Sequence, residues 1–184
     1  ERPAEAGSVK TVVATPKNRK PSTGQAKVLG IGWYANVEVD QRGILHLAWV
    51  DADLGDILYT TWDPAKTRPE PPQVVAKEGA VGSYLRLALA PGDVPVLSYY
   101  DQDRRQLRLA HRPADKEKMA AAGVLVDASL TPPPLPPLVP GERPPPPPTA
   151  GMGEGWHGED VAFGDNVGIA GALHVDAKGA PHLT

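Results

Sequence analysis

The segment Gly155-Trp-His-Gly-Glu-Asp160 places an aromatic ring, an imidazole and two carboxylates within six residues. An indole can stack on a ligand, and the other three side chains can exchange protons or accept hydrogen bonds. The surrounding glycines predict a flexible loop. We therefore interpret Trp156, His157, Glu159 and Asp160 as a candidate ligand-binding loop at one mouth of the fold. A capping loop packed by Trp156 is the alternative, and it requires no ligand.

Three histidines are weaker candidates, for a metal site. His46 and His182 align with each other in a repeated pattern, and His174 lies just before the turn in the last copy of that pattern. Imidazole is a common zinc ligand, and histidines from neighbouring repeats could approach a shared axis. Val96 fills the equivalent place in the middle copy, however, so histidines packed within strands are the simpler interpretation. We expect no cofactor.

The segment from Asp51 to Asp56 has carboxylates at alternating positions, but it lacks the carboxylate or amide at the fifth position and the glycine at the sixth position of a calcium loop. A hairpin turn explains it better. Asp51 and Asp101 lie where a carboxylate can accept hydrogen bonds from the backbone of the following turn. The sequence contains no Ser-His-Asp order, no phosphate-binding glycine loop and no His-Glu-x-x-His motif, so no catalytic residue is assigned.

Composition removes several classes of function. The 184 residues carry a formal net charge of −3, which gives no electrostatic reason to expect a nucleic acid partner. The sequence contains no run of about 18 apolar residues, so it predicts no membrane span. The absence of cysteine excludes disulfides, thiolate metal sites and a cysteine nucleophile.

A repeat organises the chain. Gly32 to Asp51 aligns without a gap with Gly82 to Asp101, and Gly168 to Thr184 begins a third copy. Each copy has an alternating run, a glycine-containing turn and a second run, which predicts strand, turn, strand. A repeat of about 40 to 50 residues is typical of propellers, solenoids and arrays, and four antiparallel strands per period is the pattern of a propeller blade.

The repeat predicts an all-β fold and the positions of its strands. We expect strands near 36–40, 44–51, 56–62, 85–90, 94–101 and 106–111. Short fourth strands are predicted at Val74-Val75 and at Val124-Leu-Val126. Tyr34 and Tyr84 align across copies and are expected to pack at equivalent places between blades.

The predicted organisation has five parts. They are an N-terminal outer strand of a preceding blade with a basic loop (1–31), two blades (32–81 and 82–130), a proline-rich insertion with the Gly/Trp/His loop (131–165), and the start of a third blade (166–184). Lys10 to Ala14 would be that outer strand, and 113–122 has the composition of a short helix. Thr131 to Ala150 holds eleven of the 22 prolines and must lie outside the sheets, as a stiff linker or as a docking strip for an aromatic groove.

The pattern Gly-x-Tyr-x-x-Leu-Ala-Leu at 82–89, followed by Leu97-Ser-Tyr-Tyr-Asp101 and Leu107-Arg-Leu-Ala110, resembles the blade repeat of bacterial secreted and lipoprotein β-propellers. The resemblance covers roughly half of the chain. It implies part of a β-propeller built from four-stranded antiparallel blades, interrupted here by the proline-rich insertion. It also implies an exported location, whether periplasmic, outer-membrane-associated or extracellular. It implies no particular chemistry, because propellers host many unrelated functions.

These observations predict a binding or scaffolding module. A closed propeller of four to eight blades needs about 200 to 400 residues at this period. We therefore expect a second polypeptide, or the remainder of a cleaved precursor, to supply missing blades, and a carbohydrate or a protein as ligand. The alternative is a propeller glycoside hydrolase or lyase that uses axial carboxylates or histidines. Carboxylates about 5 to 9 Å apart in one pocket would favour that enzyme.

Overall fold

A computed structural model describes residues 31–77, 82–112, 151–163 and 171–184, and within these ranges the fold is all-β. The described ranges contain ten strands: β1 (Ile31–Val39), β2 (Leu45–Asp51), β3 (Asp56–Trp62), β4 (Gln73–Ala76), β5 (Ser83–Ala90), β6 (Val94–Asp101), β7 (Gln106–His111), β8 (His157–Phe163), β9 (Leu173–Val175) and β10 (Pro181–Leu183). The described ranges contain no helix that could span a bilayer.

The strands form two four-stranded antiparallel sheets and one hairpin. Sheet 1 has the order β1-β2-β3-β4, sheet 2 has the order β5-β6-β7-β8, and β9 pairs with β10 in the C-terminal hairpin. All six strands predicted from the two full repeats are confirmed, and so is the short strand at Val74-Val75. The C-terminal hairpin lies within the predicted beginning of the third copy, 166–184.

The fourth strand of sheet 2 differs from the prediction. His157–Phe163 pairs antiparallel with β7, so the flexible loop predicted at 155–160 is wrong for its last four residues. Burial alternates along this stretch, with Trp156 and Gly158 buried and His157 and Glu159 exposed, which is the period of a strand. The glycines concealed that period in the sequence. The strand predicted at 124–126 lies outside the described residues.

The tight turns between the second and third strands are held by aspartates. Asp51 Oδ1 accepts hydrogen bonds from the backbone N–H groups of Asp53 (3.1 Å) and Leu54 (3.2 Å). Asp101 Oδ1 accepts one from the N–H of Arg104 at 3.1 Å. The predicted turn role of both carboxylates is confirmed, and Asp51 to Asp56 forms a hairpin turn.

The sheets stack face to face in chain order. The first core cluster lies between sheet 1 and sheet 2 and comprises Ala48, Val50, Ile57, Tyr59, Val75, Ala76, Leu85, Leu87, Leu97, Tyr99, Ala110 and Trp156. The second core cluster, between sheet 2 and the C-terminal hairpin, has Ala90, Val96, Leu109 and Val175 at its centre. A hydrogen bond also joins the first two sheets, from Asn36 Nδ2 to the carbonyl of Leu85 at 2.9 Å. Sheet 2 thus buries apolar side chains on both faces.

Tyr34 and Tyr84 occupy equivalent irregularities at the start of β1 and β5. Both strands break register at this place, and both tyrosines adopt a left-handed backbone, with φ of 52° and 58°. Their rings contact each other, with centroids 5.6 Å apart. The predicted equivalence is confirmed, but the rings are not core residues, since Tyr34 is 38% exposed and Tyr84 is half-buried.

Several predictions fall outside the described residues. They are the N-terminal strand at Lys10 to Ala14, the short helix at 113–122 and the proline-rich insertion at Thr131 to Ala150.

Gly82 and Gly32 offer a matched test of sheet stacking. Both have a positive φ, 96° and 93°, but only a Cβ at Gly82 would meet the core, 2.7 Å from Val50 Cγ2 and 3.0 Å from Ile57 Cγ1. Gly32→Ala should cost about 1 kcal/mol of unfolding free energy through its backbone alone. Gly82→Ala should cost roughly 1 to 3 kcal/mol more, because it overpacks the interface. Urea denaturation of both variants checks this, and equal losses would contradict the stacking.

Candidate functional site

The four residues predicted to share a ligand-binding loop are divided between two environments. Trp156 belongs to the first core cluster, and Asp160 is bonded to Arg108, whose guanidinium lies 6.0 Å from the Tyr99 ring of that cluster. His157 and Glu159 instead contact His111. Successive side chains of a strand point to opposite faces, so β8 separates the pairs. The structure does not bring all four residues together.

Asp160 is part of a buried ion network. Arg108 Nε donates to Asp160 Oδ1 at 2.9 Å, and Arg108 Nη1 lies 3.7 Å from Asp101 Oδ2. Arg104 Nε lies 3.4 Å from the same oxygen of Asp101. Burial raises the pKa of the Asp101 carboxyl, opposed by the backbone hydrogen bond from Arg104 and by the two guanidinium charges. The network joins β7, β8 and the β6–β7 turn, so it stabilises sheet 2.

His157 and Glu159 form a small cluster with His111 at the start of β8. The rings of His111 and His157 stack across the two strands, with centroids 5.9 Å apart, and His111 Nε2 lies 2.9 Å from Glu159 Oε1. This hydrogen bond is the largest cause of the raised pKa of His111 and of the lowered pKa of Glu159. The contact therefore favours the charged forms of both His111 and Glu159.

His46 and His182, the aligned candidates for a metal site, each face a turn aspartate instead. Asp40 Oδ1 accepts hydrogen bonds from the N–H groups of Arg42 (2.9 Å) and Ile44 (2.7 Å), and Asp40 Oδ2 lies 3.7 Å from His46 Nε2. In the C-terminal hairpin Asp176 bonds the turn in the same way, and Asp176 Oδ2 lies 3.1 Å from His182 Nε2. The repeated histidine is thus the partner of a turn-capping carboxylate.

His174 lies directly across the hairpin from His182, with ring centroids 6.4 Å apart. In the part of the chain that the structure describes, no three His, Asp or Glu side chains are grouped closely enough to hold a metal ion. The three histidines therefore do not converge on one site there.

The structure shows a different candidate site, a cleft of about 530 Å³ at one end of sheets 1 and 2. We call it the inter-sheet cleft. The end of β3, the start of β4, the β5–β6 turn and the residue after β7 form its walls. Its lining residues are Tyr59, Thr60, Thr61, Glu70, Pro71, Pro72, Gln73, Gly92, Asp93, Val94, Pro95 and Arg112. A cleft of this volume is large enough for a small ligand.

A chain of buried rings lies beneath the inter-sheet cleft. Tyr59 Oη lies 2.6 Å from His46 Nδ1, and the Tyr59 ring meets the Trp156 ring edge to face at 5.3 Å between centroids. Burial raises the pKa of Tyr59 to about 12, against the opposing charge of Arg112. Burial also lowers the pKa of His46, although Asp40 opposes that effect. At neutral pH Tyr59 and His46 are therefore both uncharged, and the Tyr59 hydroxyl shares a hydrogen bond with His46 Nδ1.

Arg112 is the cation of the inter-sheet cleft. Its guanidinium lies 5.4 Å from the centroid of the Trp156 ring, and its Nη2 donates to Gln73 Oε1 of sheet 1. Because Arg112 follows β7 directly, it links the two sheets at the mouth of the cleft. Cation–π contact of this kind fixes a guanidinium while leaving its N–H edge available.

Sequence reasoning found only part of this arrangement. Trp156 and His46 were singled out, but Tyr59, Gln73 and Arg112 were not. One signal was present in the repeat, because the equivalents of His46 and Tyr59 in the second copy are the apolar residues Val96 and Leu109. Comparison of the chain with family models, with curated proteins and with solved structures found no match in any of the three.

Asp160 and Glu159 should respond differently to truncation. Asp160→Ala should lower the unfolding free energy by about 3 kcal/mol, because it leaves the buried Arg108 with a weaker partner. Glu159→Ala should cost less than about 1 kcal/mol, because its ion pair is half exposed. Chemical denaturation measures both, and a stable Asp160→Ala protein would show that the ion network is not structural.

The His111–Glu159 pair predicts a pH dependence. The raised pKa of His111 stabilises the fold fully below pH 6.5, its ordinary value, and this contribution is lost as the pH rises through the raised value. The lowered pKa of Glu159 adds stability that is lost as the pH falls below 4.5 through its own folded value. Titration of His111 followed by NMR should give a midpoint above 6.5, and Glu159→Gln should lower that midpoint. An unchanged midpoint in the variant would rule out the pair.

Proposed function

We propose that this chain is part of an exported β-propeller that acts as a binding or scaffolding module. Support comes from the stacking of the sheets. Two four-stranded antiparallel sheets and a hairpin follow one another face to face in chain order, and the first three strands of each four-stranded sheet come from one copy of the repeat. This is how consecutive blades of a propeller would bury their faces.

The proposal rests mainly on two equivalent residues, Leu87 in sheet 2 and Val37 in sheet 1, whose side chains differ in solvent exposure. Leu87 of sheet 2 pairs with Leu97 and is 4% exposed, because sheet 1 covers it. Val37 occupies the same register in sheet 1, paired with Leu47, yet it is 56% exposed, and Val39 is 58% exposed. An apolar face that the repeat otherwise buries is open in sheet 1. A further blade, from a second polypeptide or from the remainder of a precursor, would cover it.

The inter-sheet cleft is the ligand-binding part of the proposed module. It combines a buried aromatic floor, proline and threonine walls and a single arginine, which suits recognition of a small polar ligand or a protein segment. We do not extend the proposal to the alternative, a propeller hydrolase. The carboxylates in or beside the cleft already have partners: Asp40 bonds its turn, Glu70 pairs with Lys66 at 2.7 Å, and Asp93 lies 3.9 Å from Arg42.

Association through the open face of sheet 1 tests the proposal. The chain should self-associate in a concentration-dependent way in sedimentation velocity, because the exposed valines can stack on another sheet. Val37→Lys should shift the protein to monomer with little loss of stability, since an exposed substitution costs within about 0.5 kcal/mol. Thr67→Lys adds the same charge in an exposed loop and should associate like the wild type. A monodisperse wild-type monomer would overturn the proposal.

A further inference from the structure

The inter-sheet cleft has the features of a site for a carboxylate. We propose that Arg112 binds the carboxylate group of a compact ligand, with the Trp156 ring behind the guanidinium. The inference rests on the proposed binding function and names the ligand class of that site. Its basis is the position of Arg112 and the hydrogen-bonding state of the groups around it.

Arg112 has no carboxylate partner among the described residues. Among those residues its side chain donates a hydrogen bond to Gln73 and makes a cation–π contact with the Trp156 ring. Arg108, the buried arginine of β7, lies between two carboxylates. A partly buried guanidinium normally has an anionic or hydrogen-bonded partner on each edge, because its desolvation is otherwise uncompensated. Arg112 therefore differs from Arg108, whose guanidinium is paired with carboxylates within sheet 2.

Two buried donors beside the cleft also lack a hydrogen-bond partner in the described structure. They are Arg112 Nε and Trp156 Nε1. Buried N–H groups are nearly always bonded, and of these two residues Arg112 lines the cleft, so a ligand bound there would supply the acceptor that Arg112 Nε lacks. Arg112 Nε and one Nη form the two-pronged edge that matches the two oxygens of a carboxylate. The Tyr59 side chain, which also lines the cleft, is bonded to His46 and is held in place.

The charges of the walls favour a monoanion, such as a carboxylate, over a dianion. Glu70 and Asp93 also line the cleft, and each already has a basic partner, Lys66 or Arg42. Their charges would repel a phosphate dianion more strongly than a monoanion. The three prolines of the walls, Pro71, Pro72 and Pro95, offer an apolar surface to the rest of the ligand. A uronic acid and the C-terminus of a peptide share this chemistry.

Matched pairs of probes separate the carboxylate from the rest of the ligand. The 184-residue chain is titrated at millimolar concentrations with D-glucuronate and D-glucuronamide, and with acetyl-Ala-Pro-Ala bearing a free or an amidated C-terminus. The indole N–H of Trp156 and the Nε–H of Arg112 are followed by NMR. At least one carboxylate should shift both signals, and its amide should bind roughly tenfold more weakly or not at all, because a charge-assisted contact is lost. The probe that binds identifies the source of the carboxylate.

Variants locate the site. Arg112→Gln should abolish binding of the carboxylate, whereas Arg105→Gln, at the opposite end of sheet 2, makes the same charge change and should leave it intact. Thermal unfolding of each variant confirms that it is folded, and Arg112→Lys provides a second test if Arg112→Gln is not, with weakened binding expected. The inference fails if neither carboxylate binds, if Arg112→Gln or Arg112→Lys binds as well as the wild type, or if the amides bind equally well. Equal binding of the amides within the cleft would leave the binding function standing.

Discussion

The structure depends on the burial of apolar side chains between successive sheets. A four-stranded sheet of this length has two faces, and neither can be covered by its own strands. Both faces of sheet 2 are covered by neighbouring elements. Leu85, Leu87 and Leu97 pack against sheet 1. Val96 and Leu109 pack against the C-terminal hairpin. The stability of each sheet therefore comes mainly from its neighbours, as in other repeat architectures.

Aspartates in the turns keep the strands in register, whereas burial of apolar side chains between the sheets provides most of the stability. Asp51 and Asp101 hold the turns between second and third strands, and Asp40 and Asp176 hold the turns between first and second strands. A slip by one residue would move every apolar side chain to the other face of its sheet. Because each carboxylate fixes the backbone of its own turn, it fixes which face of the following strand is apolar.

The repeat was sufficient to predict local structure, and it failed where pairing is non-local. Six strands and the turn roles of Asp51 and Asp101 followed from the aligned copies, since alternation and turn residues act over a few positions. The partner of β7 could not be predicted in this way. His157–Phe163 reaches β7 from far along the chain, and Gly158 and His157 give it weak strand propensity. The inter-sheet cleft could not be predicted from the sequence either, because Gln73, Asp93 and Arg112 come together only when the sheets stack.

Two residues at the inter-sheet cleft differ in chemistry from their equivalents in the next repeat. In sheet 2, Val96 and Leu109 pack in the second core cluster, where sheet 2 and the C-terminal hairpin both contribute apolar residues. Their equivalents in sheet 1, His46 and Tyr59, bring a hydrogen-bonded polar pair to the corresponding interface without changing the strand register. The fold tolerates this exchange because Tyr59 still presents its ring to Trp156 and the polar atoms bond each other. The interface between sheets 1 and 2 therefore differs from the interface between sheet 2 and the hairpin by a hydrogen-bonded polar pair, which lies beneath the cleft where Arg112 joins the two sheets.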